Sequence, residues 1–380
     1  MMAGMIPIDQ EQRKPIRIFV DAHVFDGEFQ GTRTFIHGIY SALAQKKDVL
    51  LFLGARNLDQ LKNYFPATEN VRFIQLKSTS SIIRLAFEIP SIIKKFEIDY
   101  AHFQYITPIL KRCKFIVTTH DVLFNDYPEE FSWFYRFTKN LLYKFSAKRA
   151  DILTTVSEYS RKSIQLHLNT KDKRIVVTPN AVALRFFEDY NKIEEKQYIY
   201  QKFGIDKYIL YISRIEPRKN HYLLLKSYLD LKLYQKGYYL VLLGSISIPD
   251  TKFQQLFNET DSNIKKFIFH SELINDTDIL SFYRASDLFV YPSKAEGFGI
   301  PPLEAGAACI PVLCSHSTAM SDFHFFEDNH FDPNDEKELK EKIISIIENP
   351  PDHSALKDIS NKIKEHYNWT TSAEKLYELL

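Results

Sequence analysis

Glycine is scarce in this chain. There are 11 in 380 residues, less than half of what average usage of about 7% would supply. Cysteine is scarcer still, with only Cys113, Cys309 and Cys314. Three is too few and odd for a disulfide framework, so a reducing compartment is expected. Cys309 and Cys314 read as buried apolar side chains rather than a metal pair. No run of 18 apolar residues occurs, which excludes a membrane-spanning helix. The first residues lack a basic stretch followed by an apolar one, so no signal peptide is expected and the cytoplasm is the expected location. Excess charge of one sign is also missing. The net charge of +1 gives no global attraction to nucleic acid or membrane.

What is present is a folded chain, 45% hydrophobic and 26% charged, long enough that two domains are the prior. Three of the few glycines gather in Glu296-Gly-Phe-Gly-Ile-Pro-Pro-Leu-Glu-Ala-Gly306. Scarce glycine collects where bare backbone is required. Residues 288–291 before this run read as a buried strand, and residues 301–308 as a helix with proline at its start. Strand, glycine turn and helix N-terminus make an anion site of backbone N–H donors. The carboxylates Glu296 and Glu304 add acceptors for hydroxyl groups. Phosphate together with a polyhydroxyl points to a nucleotide sugar.

Short apolar runs alternate with amphipathic ones along most of the chain. Strands are predicted at residues 16–20, 49–53, 71–76, 100–105, 115–119, 152–156 and 174–178. They recur at 208–213, 239–243, 267–270, 288–291 and 310–313. Helices are predicted between most of them, including 34–45, 81–96, 131–149, 158–167, 220–233, 276–284 and 301–308, and the chain is expected to be helical after 335. Such alternation means α/β architecture with parallel sheets covered on both faces. The polar stretch 185–204 is taken as the linker between two Rossmann-like domains of similar size, facing each other across a cleft. In such sheets the ligand sits beyond the C-terminal strand ends.

A second constellation is Tyr211-Ile-Ser-Arg-Ile-Glu-Pro-Arg-Lys-Asn220. It follows the first strand of the second half and opens a helix. Arg214 and Lys219 are expected where a diphosphate would lie, since fixed cations stabilise a departing phosphate without a metal. Asp276-Thr-Asp278 has the form of an acidic metal motif, but it opens an amphipathic helix and reads as its N-cap and first turn. No other acidic or histidine cluster has ligand spacing, so no metal and no cofactor are expected. Residues 131–149 hold many aromatics, five cations and no acid. Such a helix suits peripheral contact with an anionic membrane surface, or else a core helix with a wet basic face.

The Arg-x4-Lys turn, the Glu-x7-Glu run and the distance between them resemble the retaining GT-B glycosyltransferases of family 4. Thr155-Val-Ser-Glu-Tyr-Ser-Arg161, Thr178-Pro-Asn-Ala-Val182, residues 276–291 and Asn368-Trp-Thr-Thr-Ser-Ala-Glu374 are similar to family segments, with Ala181 in place of a glycine. The resemblance spans nearly the whole chain and is loosest over residues 1–110. It implies an acceptor domain at 1–190, a donor domain at 200–365, and a last helix, 366–380, crossing back onto the first.

The resemblance also implies roles. Glu304 would accept from the donor's ribose hydroxyls. Glu296 would face the transferred sugar, beside backbone N–H groups of Gly297, Phe298 and Gly299. Arg214 and Lys219 would hold the diphosphate. His120, in Thr118-Thr-His-Asp121, would approach the sugar from the acceptor side, with Asp121 orienting a loop or helping to deprotonate the acceptor. Gly31, in Phe29-Gln-Gly-Thr-Arg-Thr34, would touch diphosphate or acceptor. Asp322 stands where the family has a glutamate, which leaves its tie to the fold open. The implied reaction moves a hexose, without metal, from a nucleoside diphosphate to a glycan or lipid-linked glycan hydroxyl. Residues 120–131 look more like mannosyltransferases of polysaccharide assembly, which makes GDP-mannose the first choice of donor and a UDP-hexose the second. A nucleotide-sugar epimerase of the same shape and a non-catalytic scaffold subunit are the alternatives. Nucleic acid is not an expected partner.

Overall fold

The computed structural model describes residues 14–27 and 31–380. Among the described residues thirteen strands form two parallel sheets. The first has β1 (Ile16–Asp21), β2 (Val49–Ala55), β3 (Val71–Gln75), β4 (Tyr100–Gln104), β5 (Lys114–Thr118), β6 (Ile152–Thr155) and β7 (Ile175–Val177) in the order β3-β2-β1-β4-β5-β6-β7. The second has β8 (Lys207–Ile212), β9 (Tyr238–Leu243), β10 (Ile268–Ser271), β11 (Leu288–Tyr291), β12 (Val312–Ser315) and β13 (His330–Phe331) in the order β10-β9-β8-β11-β12-β13. All twelve strands expected from the sequence are present. The two-residue edge strand β13 is the addition, too short to show a hydrophobic run.

Central strands are buried on both faces, as continuous Val, Ile, Leu and aromatic runs require when helices cover a parallel sheet. In β8, Tyr208, Ile209, Leu210 and Tyr211 are fully buried. Register follows the hydrophobic pattern: Ile16 lies beside Val49 in β1–β2, and Ile209 beside Leu288 in β8–β11. Each sheet reverses its winding once, between β1 and β4 in the first and between β8 and β11 in the second. The crevice outside such a switch point is where open α/β sheets take ligands.

By packing, the chain divides into two compact units. One holds residues 14–27, 31–118, 142–154 and 373–380; the other holds 119–141 and 155–372. The segment after β5, with His120 and Asp121, therefore packs with the second unit.

Two stretches differ from expectation. The polar stretch 185–204 contains the helix Lys192–Phe203, with Asn191 as N-cap and Gly204 ending it at φ +72°. Its apolar stripe is narrow: Ile199 is buried, and Phe203 packs on Phe269 and Phe282 with ring centroids 5.7 and 4.9 Å away. Ion pairs add to this. Lys196 pairs with Asp287 at 2.6 Å, Lys202 with Asp278 at 2.7 Å, and Glu195 with Arg284 at 3.2 Å. The Asp276–Asp278 acids thus serve helix Asp276–Ala285 and its neighbour: Asn275 caps it, and Asp278 also accepts from Tyr198 at 2.7 Å. The second difference lies in 81–96, where α-helical turns flank a π-helical segment, Arg84–Glu88. Pro90 stands two residues beyond it. It lacks an N–H and its ring would press on the carbonyl of Ala86, and the wider turn relieves that clash.

Candidate active site

The most densely charged buried cluster lies at the β8/β11 switch point, within the second unit. The turn after β8 supplies Glu216, Arg218 and Lys219; the loop after β11 supplies Ser293 and Glu296. The first turn is pinned at both ends. Tyr211 Oη donates to the Lys219 carbonyl at 2.7 Å, and Asn220, at φ +59°, donates through Nδ2 to the Pro333 carbonyl at 2.8 Å. Asparagine tolerates that left-handed backbone better than most residues.

Glu296 is 8% exposed. It accepts hydrogen bonds from Ser293 Oγ at 2.7 Å, Tyr291 Oη at 2.9 Å and Arg218 Nη1 at 3.2 Å, and it pairs with Lys219 Nζ. Burial alone would raise its pKa. Lys219, Arg218 and these hydrogen bonds outweigh burial and bring it down to about 2. Burial wins at Lys219, whose pKa falls below the ordinary lysine value despite Glu296. Arg218 also pairs with Glu216 and donates to the Ala295 carbonyl. The cluster therefore neutralises itself, two acids against two cations.

The glycine run wraps around Glu296. Gly299 has φ +100° and precedes helix Ile300–Ala307, whose first turn contains Pro301 and Pro302. The prolines remove two donors from that turn. Among the described residues, none accepts a hydrogen bond from the N–H of Gly297, Phe298 or Gly299, so this helix start presents donors to an anion. Gly297 is required for a different reason. A Cβ there would lie 2.7 Å from Asp121 Oδ2 and 2.8 Å from Asp121 Cβ. Gly306 is used for helix packing, since its Cβ would strike Ile363 at 2.6 Å and Phe326 at 2.9 Å. The bare backbone expected throughout the run has three separate uses.

Glu304 lies one helical turn on and is half-buried. Tyr283 Oη donates to it at 2.8 Å. Burial raises its pKa to about 7, opposed by Tyr283 and Arg185. The two acids that bracket the run thus sit in opposite electrostatic states.

His120 is buried, its imidazole held neutral by burial with a pKa of about 3. Thr155 Oγ1 donates to its carbonyl at 3.2 Å. The Asp121 carboxyl is pushed up by burial, with Arg218 lowering and Glu296 raising it. His120, Asp121, Lys219, Glu296, Gly297, Phe298, Gly299 and Glu304 thus belong to one unit. Arg214 lies in the same turn, but its side chain is exposed, and Arg218 is the arginine that meets Glu296 beside Lys219. Gly31 opens helix Gly31–Leu43 in the first unit, exposed; Phe29 and Gln30 of its predicted loop lie outside the described residues.

Sequence reasoning missed three contributors. Arg218 stands beside Lys219, where the Arg-x4-Lys spacing drew attention to Arg214. Ser157 Oγ and Ser160 Oγ donate to the Gly297 carbonyl at 2.8 Å and 3.0 Å. Their Ser-x-x-Ser spacing at a helix start is the available signal, since Ser157 is also the N-cap of helix Glu158–His167. Asp322 has a clear task too. Its Oδ2 accepts from the N–H of Glu158 at 3.1 Å, at the end of that helix where a negative charge is favourable.

Two family models match complementary halves of the chain: Glycosyltransferase Family 4 over residues 29–186 and Glycosyl transferases group 1 over 192–366. The chain belongs to glycosyltransferase family 4. It is 28% identical to the O-antigen chain mannosyltransferase B of Escherichia coli, over 80% of this chain and 82% of that one. It is 26% identical to the serotype-specific mannosyltransferase WbdA of Escherichia coli over 64% of this chain, but spans only 30% of WbdA. Sucrose-phosphate synthase of Thermosynechococcus elongatus shares the fold, with a TM-score of 0.76 and 17% identity over 97% of this chain and 98% of that one. The architecture is thus that of the GT-B glycosyltransferases.

Proposed function

We propose that this family 4 glycosyltransferase moves a hexose from a nucleoside diphosphate sugar to a hydroxyl of a glycan or lipid-linked glycan, with retention and without a metal. The observation that supports it most is the cluster at the β8/β11 switch point. There Lys219 and Arg218 meet Glu296 beside unpartnered backbone N–H groups. Cations and backbone donors suit a diphosphate on which negative charge grows as it departs. Glu296, ionised over the whole working range, suits a sugar hydroxyl. Glu304 suits the ribose hydroxyls.

In this reading the anomeric carbon–oxygen bond to the diphosphate breaks, and its electron pair goes to the phosphate. The acceptor oxygen bonds the same face, and its proton passes to the departing phosphate oxygen. Neutral His120, buried at the strand end, lines the sugar rather than carrying charge, with Asp121 beside it. Arg214, exposed in the same turn, swings to the diphosphate when the donor arrives. Gly31 contributes backbone on the acceptor side. Residues 1–190 carry the acceptor, residues 200–365 the donor, and the helix at 366–380 returns to the first domain. Mannose is the first choice of sugar, in line with the mannosyltransferases it is similar to, with polysaccharide or cell-envelope glycan assembly at the cytoplasmic membrane face as the setting.

The test is thermal stabilisation by a panel of nucleotides, followed by incubation of the matching sugar nucleotide with and without an acceptor. Stabilisation by GDP and not UDP, with α-linked product only when acceptor is present, is expected for GDP-mannose. Stabilisation by UDP alone overturns mannose. Conversion of the sugar nucleotide without acceptor overturns transfer in favour of epimerisation, and no stabilisation by any nucleotide favours a scaffold.

A further inference from the structure

Helix Trp133–Arg149 has its polarity reversed. On a helix that covers a core, the apolar stripe faces inward and the charges face water. Here the residues turned inward are Tyr143, Ser146 and Ala147. The residues turned outward include Trp133, 71% exposed, Phe134, 69%, Phe137, 57%, and Leu141, 63%. At 100° per residue these four fall within about a third of the helix circumference, and Lys144 and Lys148 fall on the same arc. Trp133 and Phe137 stack on each other, with centroids 5.6 Å apart, so the aromatic surface is ordered without a cover. The helix has no acid.

A loop tied to the last residue of the helix also exposes large apolar side chains. Ile109 is 75% and Leu110 46% exposed. The loop is tied to the end of the helix, Arg149 Nη2 donating to the Ile109 carbonyl at 2.7 Å and Lys111 Nζ to the Arg149 carbonyl at 3.0 Å. No helix among the described residues is long and apolar enough to cross a membrane. The remaining use of large apolar side chains with cations among them is to lie at an interface.

We propose that Trp133–Arg149 is a membrane-docking element for anionic lipid. Trp133, Phe134, Phe137 and Leu141 enter the headgroup and acyl boundary, and Lys144 and Lys148 pair with lipid phosphates. Charge complementarity selects this occupant. A protein partner covering the same face would carry acids, and a second copy of the chain would bring five cations against five. Burial of aromatics alone would be indifferent to lipid charge, whereas an acid-free basic helix is not. The inference deepens the proposed function, since it would place the site next to lipid-linked acceptors, but its observations are independent of the donor cluster.

The experiment is co-sedimentation of the full chain with vesicles of phosphatidylcholine, with and without phosphatidylglycerol, at low and high salt. Binding is expected to the anionic vesicles, weakening by about tenfold in neutral vesicles or high salt. Trp133→Ala/Phe137→Ala and, separately, Lys144→Glu/Lys148→Glu are each expected to weaken binding by about tenfold or more, while nucleotide stabilisation stays at the wild-type value. Equal binding to both vesicle types, or none to either, overturns the proposal. So does a concentration-dependent dimer that Trp133→Ala/Phe137→Ala dissolves, which makes the face a contact between copies. Loss of nucleotide stabilisation in the wild-type chain with vesicle binding intact would sink the proposed function and leave this inference standing.

Discussion

Each unit of the molecule buries a polar network, and the two are built from different chemistry. In the first unit Tyr40 Oη meets His102 Nδ1 at 2.5 Å, His102 Nε2 meets Thr118 Oγ1 at 2.7 Å, and Thr118 Oγ1 meets Thr154 Oγ1 at 2.6 Å. All four residues are essentially inaccessible. In the second unit Glu216, Glu296 and Lys219 are buried and Arg218 largely so, but these four carry formal charge. A neutral chain of hydroxyls and imidazole satisfies itself and asks nothing of a ligand. Four buried charges cost several kcal/mol each in lost hydration, and hydrophobic residues of the same volume would do as well for stability. Charge kept at a switch point, beside N–H groups that no described residue accepts from, is what the proposed function puts to use.

The largest expected effect breaks the charged network. Lys219→Met leaves Glu296 with Arg218 as its remaining cation and should cost about 3 kcal/mol, read from urea unfolding, with nucleotide binding lost as well. An unfolding curve within error of wild type would show that Lys219 contributes no net pairing. Next is His102→Ala, which strands the hydroxyl of Tyr40, leaves Thr118 with Thr154 as its partner, and should cost about 2 kcal/mol. Nucleotide affinity of the folded variant should not change; if it falls with stability, the contrast between the two networks is wrong.

Gly297→Ala drives a Cβ into Asp121 and should cost about 1–2 kcal/mol. Asp121→Gly in the same chain should restore most of it, and a double-mutant cycle without coupling would dissolve that contact. The smallest effect separates the two acids of the glycine run by pH. The folded state holds the Glu304 proton more tightly than the unfolded chain, so its contribution falls as pH rises from the ordinary glutamate range toward about 7. Glu296 has the opposite sign, its contribution present above that range and lost as pH falls toward about 2. Because Glu304 is half-buried, water screening should leave about 1 kcal/mol of its slope. Glu304→Gln should flatten stability between pH 5 and 7, measured by unfolding at a series of pH values; an unchanged slope assigns it elsewhere.

The strands were legible because a doubly covered parallel sheet writes its hydrophobicity as unbroken runs. Short edge strand β13 and helix Lys192–Phe203 were not, since the first has two residues and the second is held by a narrow apolar contact with Phe269 and Phe282 and by ion pairs to Asp278, Asp287 and Arg284, all far along the chain. The glycine–acid run and Lys219 were found from local spacing. Arg218 was passed over because spacing cannot tell which of two cations in one turn points inward. Ser157 and Ser160 were quoted within a family-like segment, but their hold on the Gly297 carbonyl crosses 137 and more positions of sequence.

By itself, then, the sequence determined the α/β alternation, the two sheets' strands and the residue types gathered around the glycine run, because these depend on periodicity and short-range turn chemistry. Tertiary structure alone decided the rest. It paired Glu296 with Lys219 and Arg218 and so set its charge, buried Glu304 enough to raise its pKa, and turned Trp133, Phe134 and Phe137 outward. Each of these is a matter of which groups share a low-dielectric neighbourhood or are excluded from one, and that depends on residues distant in sequence.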